Sequence, residues 1–573
     1  MSIFNSLKLP SPKSTVFDLS HQVKTTTEFG RLTPFMFEPT IPGDNFRVNV
    51  EVFTRFAPML APVMHMVNVY THFFRVDSFN LWENFKTFIT GGRSGNETPV
   101  YPQVYVDYDM VYRSINEDKL NLFGPSSLWD YLGFPILADN SGKVLVPGEF
   151  RYTFDALPFL AYYKVWSIYY ADENVFEFPY DDDFKLQDGV MSPDESYEYL
   201  KNTSIQYRCY EKDYFTSALP WPQRGESVRI PSTVDVTYDS SHQAISYGQT
   251  YASLGRSNSG NGVPVGADID LQIQRDSGDS RKQKVRGVHG DVVYENINLV
   301  PDISLTLGDI KANAQSATIN ELRRAFAAQA WQETNARAGW RLPEFIRAHY
   351  GVRNSDYRYF YPHYLGGGKA PVVIGEVLQQ SQSTTSGDDA SPLGAMGGRG
   401  VAAGKSNSFV HKFNDYGYVI GIMSIIPRSE YQGGLPRKFQ KFDRFDYAFP
   451  EFAHLGEQEI KNSEIFFNPT DELANNGVFG YTSRYAEYKF VPSTTHGDFL
   501  STLNYWHLGR KFTNTPGLNQ EFLQVLPEDN NRIFAVERDV NGRPLDHIWC
   551  QLYVNATAKR LLPKFGTPSV VSR

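Results

Sequence analysis

Apolar and polar residues alternate from Phe46 to Phe56 (FRVNVEVFTRF), the two-residue period of a half-buried strand. Val63 to Phe74 (VMHMVNVYTHFF) is a second strand-like run of β-branched and aromatic residues. The APMLAP between them places two prolines in a turn, where a missing N–H costs nothing. The pattern returns at Tyr418 to Ile426 and at Arg484 to Val491. Helical spacing is rarer. Ile319, Leu322, Phe326 and Ala330 form an apolar stripe beside Arg323 and Arg324, and Thr318-Ile319-Asn320-Glu321 reads as a capping box. In that box Thr318 accepts the N–H of Glu321 and Glu321 reaches back to Thr318; Gly339 is the stop. A shorter helix is expected from Pro343 to Gly351. Strands before and after a helical interlude, without βαβ alternation, predict a mainly β protein: an antiparallel sandwich with long loop insertions and a few short helices.

Two segments stand outside this pattern. Ser381 to Lys405 is rich in Gly, Ser and Ala and reads as a draped loop. Ser232 to Val300 is polar, with SLGRSNSGNG at its centre, and reads as a long surface insertion. The expected organisation is an extended arm over residues 1–45, core strands and loops over 46–231, the insertion over 232–300, and helices with the remaining strands over 301–573.

Composition adds two constraints to this outline. Across 573 residues the aromatic share is 15%, which suits pleated surfaces and contacts between molecules. The net charge is −9, so contact with nucleic acid must be local or aided by a separate basic partner. Cys209 and Cys550 are the two cysteines and read as buried thiols of a reducing compartment, although one bridge remains open. MSIFNSLKLPSPK has no apolar signal core, and Val419 to Ile426 is too short to span a bilayer. A soluble product of the cytoplasm, without membrane insertion, is expected.

Candidate chemistry is sparse. Gly400 to Ser406 ends like a phosphate-binding loop, but Arg399 stands where the motif needs glycine, and no helix follows to aim its N-terminus at a phosphate. His65 and His72 fall on opposite faces of an extended run, and no HExxH, paired CxxC or GxSxG occurs. Asp181 to Asp183 reads as a solvated loop, with a divalent-cation site as the sharper alternative. Arg437 to Phe449 (RKFQKFDRFDYAF) mixes cations with rings. It is either a strand edge with buried rings, or a genome-facing patch in which Arg437, Lys438, Lys441 and Arg444 meet phosphates. The basic run Arg281 to Arg286 is either a solvated charge run or a contact with an acidic host surface. No catalytic residue, metal or cofactor is expected.

Several blocks resemble the major capsid proteins of microviruses, the gokushovirus branch above all. They are KTTTEFGRLTPF (Lys24 to Phe35), SSLWDYLGFP (Ser126 to Pro135), ALPFLAYYKV (Ala156 to Val165), DYFTSALPWPQRG (Asp213 to Gly225), TINELRRAF (Thr318 to Phe326), FAHLGEQEI (Phe452 to Ile460) and VFGYTSRYAEYKF (Val478 to Phe490). They keep the family's order along nearly the whole chain. The resemblance implies an eight-stranded jelly roll, sixty copies of which close a T=1 shell around a single-stranded DNA genome. It also implies that the insertion rises as a spike carrying host-contact residues, for which Tyr251, Arg256, Arg281, Lys282, Lys284 and Arg286 are the candidates. The implied partners are an internal scaffolding protein, a small basic DNA-binding protein, a DNA pilot protein and a host surface receptor. The rival reading is a β-sandwich carbohydrate-active enzyme or lectin, whose hydrolytic form would need two carboxyls at a set separation.

Overall fold

The computed structural model describes residues 14–139, 141–226, 228, 234–237, 256–257, 270–275, 283–289, 292–295, 311–314, 319–338, 341–352, 362–378, 396–536 and 545–564. The chain divides into two compact units, residues 227–329 and the remainder.

The larger unit is framed by eleven strands: β1 (Thr15–Asp18), β2 (His21–Thr27), β3 (Thr33–Thr40), β4 (Asn45–Phe56), β5 (Val67–Asp77), β6 (His363–Pro371), β7 (Val373–Leu378), β8 (Met396–Lys405), β9 (Phe409–Lys412), β10 (Gly417–Pro427) and β11 (Ile548–Arg560). One sheet runs β1-β11-β4-β8-β7, with β2 also on β11 and β9 also on β4; the other runs β6-β5-β10-β3. All these pairs are antiparallel. Counting β1 with β2 and β8 with β9 as single positions, and setting the edge strand β7 aside, the first sheet orders its strands first, last, third, sixth. The second orders them second, seventh, fourth, fifth. That is jelly-roll connectivity.

More than the expected eight strands result because two long strands each serve two partners and β7 adds an edge strand beside β8. β11 pairs with both β1 and β2, and β4 with both β8 and β9. The break between β8 and β9 is bridged by Ser406, whose N–H donates to the Val50 carbonyl at 2.8 Å and whose Oγ accepts the Val50 N–H at 2.9 Å.

Alternation along β4 sends Phe46, Val48, Val50, Val52 and Phe56 inward, and β11 contributes Ile548, Leu552 and Val554 to the same core. Phe73 of the second sheet meets Phe409 of the first at 5.1 Å between ring centres. The other face of the second sheet is covered by residues between 78 and 226. There helix α1 (Leu157–Tyr169), apolar nearly all round, packs with Leu32, Phe74, Val76, Ile420 and Ile422.

Four local expectations change. Residues 15–40, read as part of an arm over residues 1–45, are strands of both sheets, because β10 and β11 supply the hydrogen-bond partners that the segment lacks locally. The end of the Ser381 to Lys405 loop is strand β8. Its glycines admit close neighbours: a Cβ on Gly398 would lie 2.2 Å from the Ala61 carbonyl oxygen, and one on Gly404 2.3 Å from the Ala370 methyl. Arg484 to Val491 is no strand; Tyr485 takes a left-handed φ of 61° and a 3-10 turn follows over Ala486–Tyr488. Helix α2 (Ile319–Ala338) and helix α3 (Leu342–Tyr350), the latter closed by left-handed Gly351, form where expected. On α2, however, Phe326 and Ala330 are exposed, so the stripe is not core. Thr318 and Gly339 lie outside the described residues.

In the smaller unit, 234–237 pairs with 311–314, and 270–275, 283–289, 292–295 and 256–257 form an antiparallel sheet in that order. Among the described residues no helix is long and apolar enough to cross a membrane. Cys209 and Cys550 are both free.

Candidate functional site

Residues 437–452 form neither a strand nor a nest of buried rings. They are three short 3-10 turns, Arg437–Phe439, Arg444–Asp446 and Pro450–Phe452. Prolines precede or open the first and third. The second is tied by carboxylates: Asp443 accepts the Arg444 N–H, and Asp446 Oδ2 accepts the N–H groups of Phe442 (2.9 Å) and Asp443 (2.8 Å). Those two backbone donors hold the Asp446 carboxyl below the usual carboxylate range. Turned this way, the rings face outward: Phe442 is 91% exposed, and Phe439, Phe445 and Tyr447 are exposed as well.

The four cations divide into two pairs. Arg437 donates to the Glu459 carbonyl and to Glu464 Oε1 at 3.4 Å, so it supports a buried carboxylate. Burial raises the Glu464 pKa, while the Lys461 N–H, the Tyr214 hydroxyl and Arg437 favour its charge. Lys441 donates to the Tyr488 hydroxyl and lies 3.7 Å from the centre of that ring. Lys438 and Arg444 instead rest over their neighbours Phe439 and Phe445, at 5.0 and 4.7 Å. The turn segment thus presents rings first and cations second. Tyr488, Phe490 and Val491, the last 87% exposed, were missed because the segment reads as a strand; the VFGYTSRYAEYKF block was the signal that pointed there.

The other candidates separate in the same way. Arg256, Lys284 and Arg286 lie on strands of the smaller unit, with Arg256 and Arg286 both paired in register with Glu295. Tyr251, Arg281 and Lys282 lie outside the described residues. Glu321 sits in the first turn of α2. In the acidic run, Asp182 accepts from Arg341 Nε at 2.7 Å, and its carbonyl accepts from the buried Lys164 Nζ at 2.9 Å. Among the described residues no group of three or more His, Cys, Asp or Glu could hold a metal ion. A cleft of about 440 Å³ is lined by His72, Tyr170, Asp172, Glu211 and Lys212. Asp172 is paired with Lys212 and Glu211 with Lys369, while burial and then the charge of Arg208 lower the His72 pKa to about 4. Each carboxylate there is already matched with a lysine, which fixes the walls instead of tuning an acid–base pair.

Exposed rings on a jelly-roll frame suit a protein that meets many neighbours, and the comparison with known proteins agrees. The family model for capsid protein (F protein) matches residues 9–570. The chain belongs to this capsid protein family. It is 32% identical to capsid protein VP1 of Chlamydia phage 1, over 99% of this chain and 97% of the relative. It is 30% identical to capsid protein VP1 of Bdellovibrio phage phiMH2K, over 90% and 89%, and 24% identical to that of Spiroplasma virus 4, over 99% and 97%. A microvirus major capsid protein, as the sequence blocks imply, is therefore borne out, and so is the mainly β, antiparallel fold expected for it.

Proposed function

We propose that sixty copies of this capsid protein close a T=1 shell around single-stranded DNA, with no catalytic step of their own. The observation that carries this reading is the outward-facing apolar surface of residues 437–452 and 488–491. A soluble monomer rarely leaves such a patch uncovered, and icosahedral closure demands several different contacts per subunit. The acidic net charge favours help from a small basic DNA-binding protein inside the shell. An internal scaffolding protein and a DNA pilot protein complete the assembly, which takes place in the host cytoplasm and ends in the virion. Residues 232–300, within the separately compact segment 227–329, serve as the spike that meets the host receptor. Electron microscopy of the expressed protein with its scaffold tests the shell: closed particles of uniform size are expected, and a persistent monomer overturns it. Replacing residues 250–290 with a short Gly/Ser linker tests the spike. Particles should form and adsorb poorly, and particles that adsorb like the parent overturn the host-contact role.

A further inference from the structure

Residues between 78 and 226 bury the outside of the second sheet, whereas the outside of the first stays open along most of its length. Outward positions of β4 and β11 are exposed or half-exposed at every step where inward ones are buried. Rings and cations interleave on that face. Trp549 pairs in register with Arg55, Gln551 with Phe53 and Tyr553 with Glu51, so Trp549, Phe53 and Tyr553 form a zigzag of diagonal neighbours. All three rings are exposed. On β2, Thr26 faces Trp549 and Lys24 faces Gln551. Arg47, Lys412 and Lys559 continue the positive row along β4, β9 and β11. The acids on this face are Asp18 and Glu51, and Glu51 is paired with Lys405 at 2.8 Å. A chain of net charge −9 therefore gathers cations on one sheet face. At the β2 end the face deepens into a cleft of about 600 Å³ against residues 125–131, lined by Lys24, Phe53, Arg55, Trp549 and one carboxylate, Asp130, while the hydroxyls of Thr26 and Ser126 at its wall donate to Asp546 at 2.6 Å each.

We infer that this face is a stacking platform for single-stranded nucleic acid. Exposed rings at cross-strand spacing take unstacked bases, and the flanking lysines and arginines take phosphates. A duplex hides the faces of its bases and has nothing to offer the rings. The charge of the face selects a polyanion over a second copy of this acidic chain. The inference rests on the proposed enclosure of single-stranded DNA and assigns its contact to the first sheet, not to residues 437–449.

The test is binding of fluorescein-labelled oligothymidylate to the full chain, followed by anisotropy across a salt series and by tryptophan emission. The parent should bind, with quenching that disappears in Trp549→Phe. Trp549→Ala should weaken binding roughly five- to hundred-fold. Lys24→Gln combined with Arg55→Gln should flatten the slope of log K against log salt by about 1.4. All three positions point outward, so circular dichroism and melting temperature should not change. A parent that fails to bind at low salt, or face variants that bind like the parent, overturn the platform. So does loss of binding through Lys438→Gln and Arg444→Gln alone, which would place the strand on the turn segment. If Trp549→Ala impairs self-association and leaves oligonucleotide binding intact, the face is a subunit contact and the inference fails. Nuclease-resistant single-stranded DNA in purified particles is read separately. Particles that protect DNA while face variants bind normally refute the platform alone, and particles without such DNA refute the enclosure reading beneath it.

Discussion

Glu28 Oε1 accepts two hydrogen bonds from His547, one from its backbone N–H at 2.9 Å and one from ring Nδ1 at 2.6 Å. The other ring nitrogen meets the Val536 carbonyl at 2.9 Å, and the ring stacks on Phe534 at 4.5 Å between centres. Carboxylate and carbonyl both accept, so the site favours the imidazolium, in which both ring nitrogens of His547 donate. It ties the end of β2 to the entrance of β11.

The first prediction concerns pH. Burial alone would lower the His547 pKa, but the hydrogen bond and charge of Glu28 and the Val536 carbonyl outweigh it, and the pKa is raised above 6.5. A base with a raised folded-state pKa contributes stability that is present below its unfolded value and lost as pH rises through the folded one. His72 and His411, both lowered to about 4 chiefly by burial, act in the opposite sense on the acid side. The contribution of His547 is therefore read as a difference. The melting temperature of the parent should exceed that of His547→Gln most at pH 6, and the gap should narrow above pH 7.

Close packing gives the second. Gly398→Ala sets a methyl against the Ala61 carbonyl oxygen and the Pro62 Cα, at 2.2 and 3.0 Å from the new carbon, and should cost about 2 kcal/mol or more. Gly375→Ala on neighbouring β7 meets only the Arg399 carbonyl oxygen at 3.9 Å and should stay within about 0.5 kcal/mol of the parent. Denaturant melts of the two variants decide it, and equal midpoints would refute the account of β8.

Lys164 supplies the third. Its side chain is buried within α1, and Nζ donates to the carbonyls of Asn80 and Asp182 at 3.0 and 2.9 Å. Lys164→Met keeps the packing of the stem and strips both carbonyls of this donor. The expected loss is about 2 kcal/mol in a urea melt, and an unchanged midpoint would show the ammonium to be dispensable.

Assembly gives the fourth. Phe442→Ser and Val491→Ser alter side chains that are almost wholly exposed, so the melting temperature of the subunit should move by less than about 0.5 kcal/mol equivalent. Yield of closed particles should nevertheless fall sharply by sedimentation. Normal yield from both variants would remove residues 437–452 and 488–491 from the list of subunit contacts.

The outcome along the chain shows what a one-dimensional pattern can carry. β4 is legible because each of its inward positions but Thr54 is Phe or Val. β2 is not, since HQVKTTT looks like polar arm until β11 pairs with it from more than five hundred residues away. β8 hides behind glycines that look like loop but serve close contact. In the turn segment the mixture of rings and cations is legible, whereas its exposure depends on Pro436, Asp443 and Asp446 bending the chain. The platform face joins Lys24, Phe53, Arg55 and Trp549 from three distant segments, which no local window unites.

β11 sits between β1, β2 and β4, yet its Cys550 comes 496 residues after its neighbour Thr54. During synthesis, β4 therefore waits with one edge open until residues 548–560 have been made, and β1 and β2 have nothing in the first sheet to join. Contacts of such long sequence separation form slowly. Synthesis through residue 560 thus becomes a quality gate: a polypeptide cut short before residue 548 has no finished first sheet to bring to a particle, and its open edge marks it for chaperones and proteases before it can poison a growing shell.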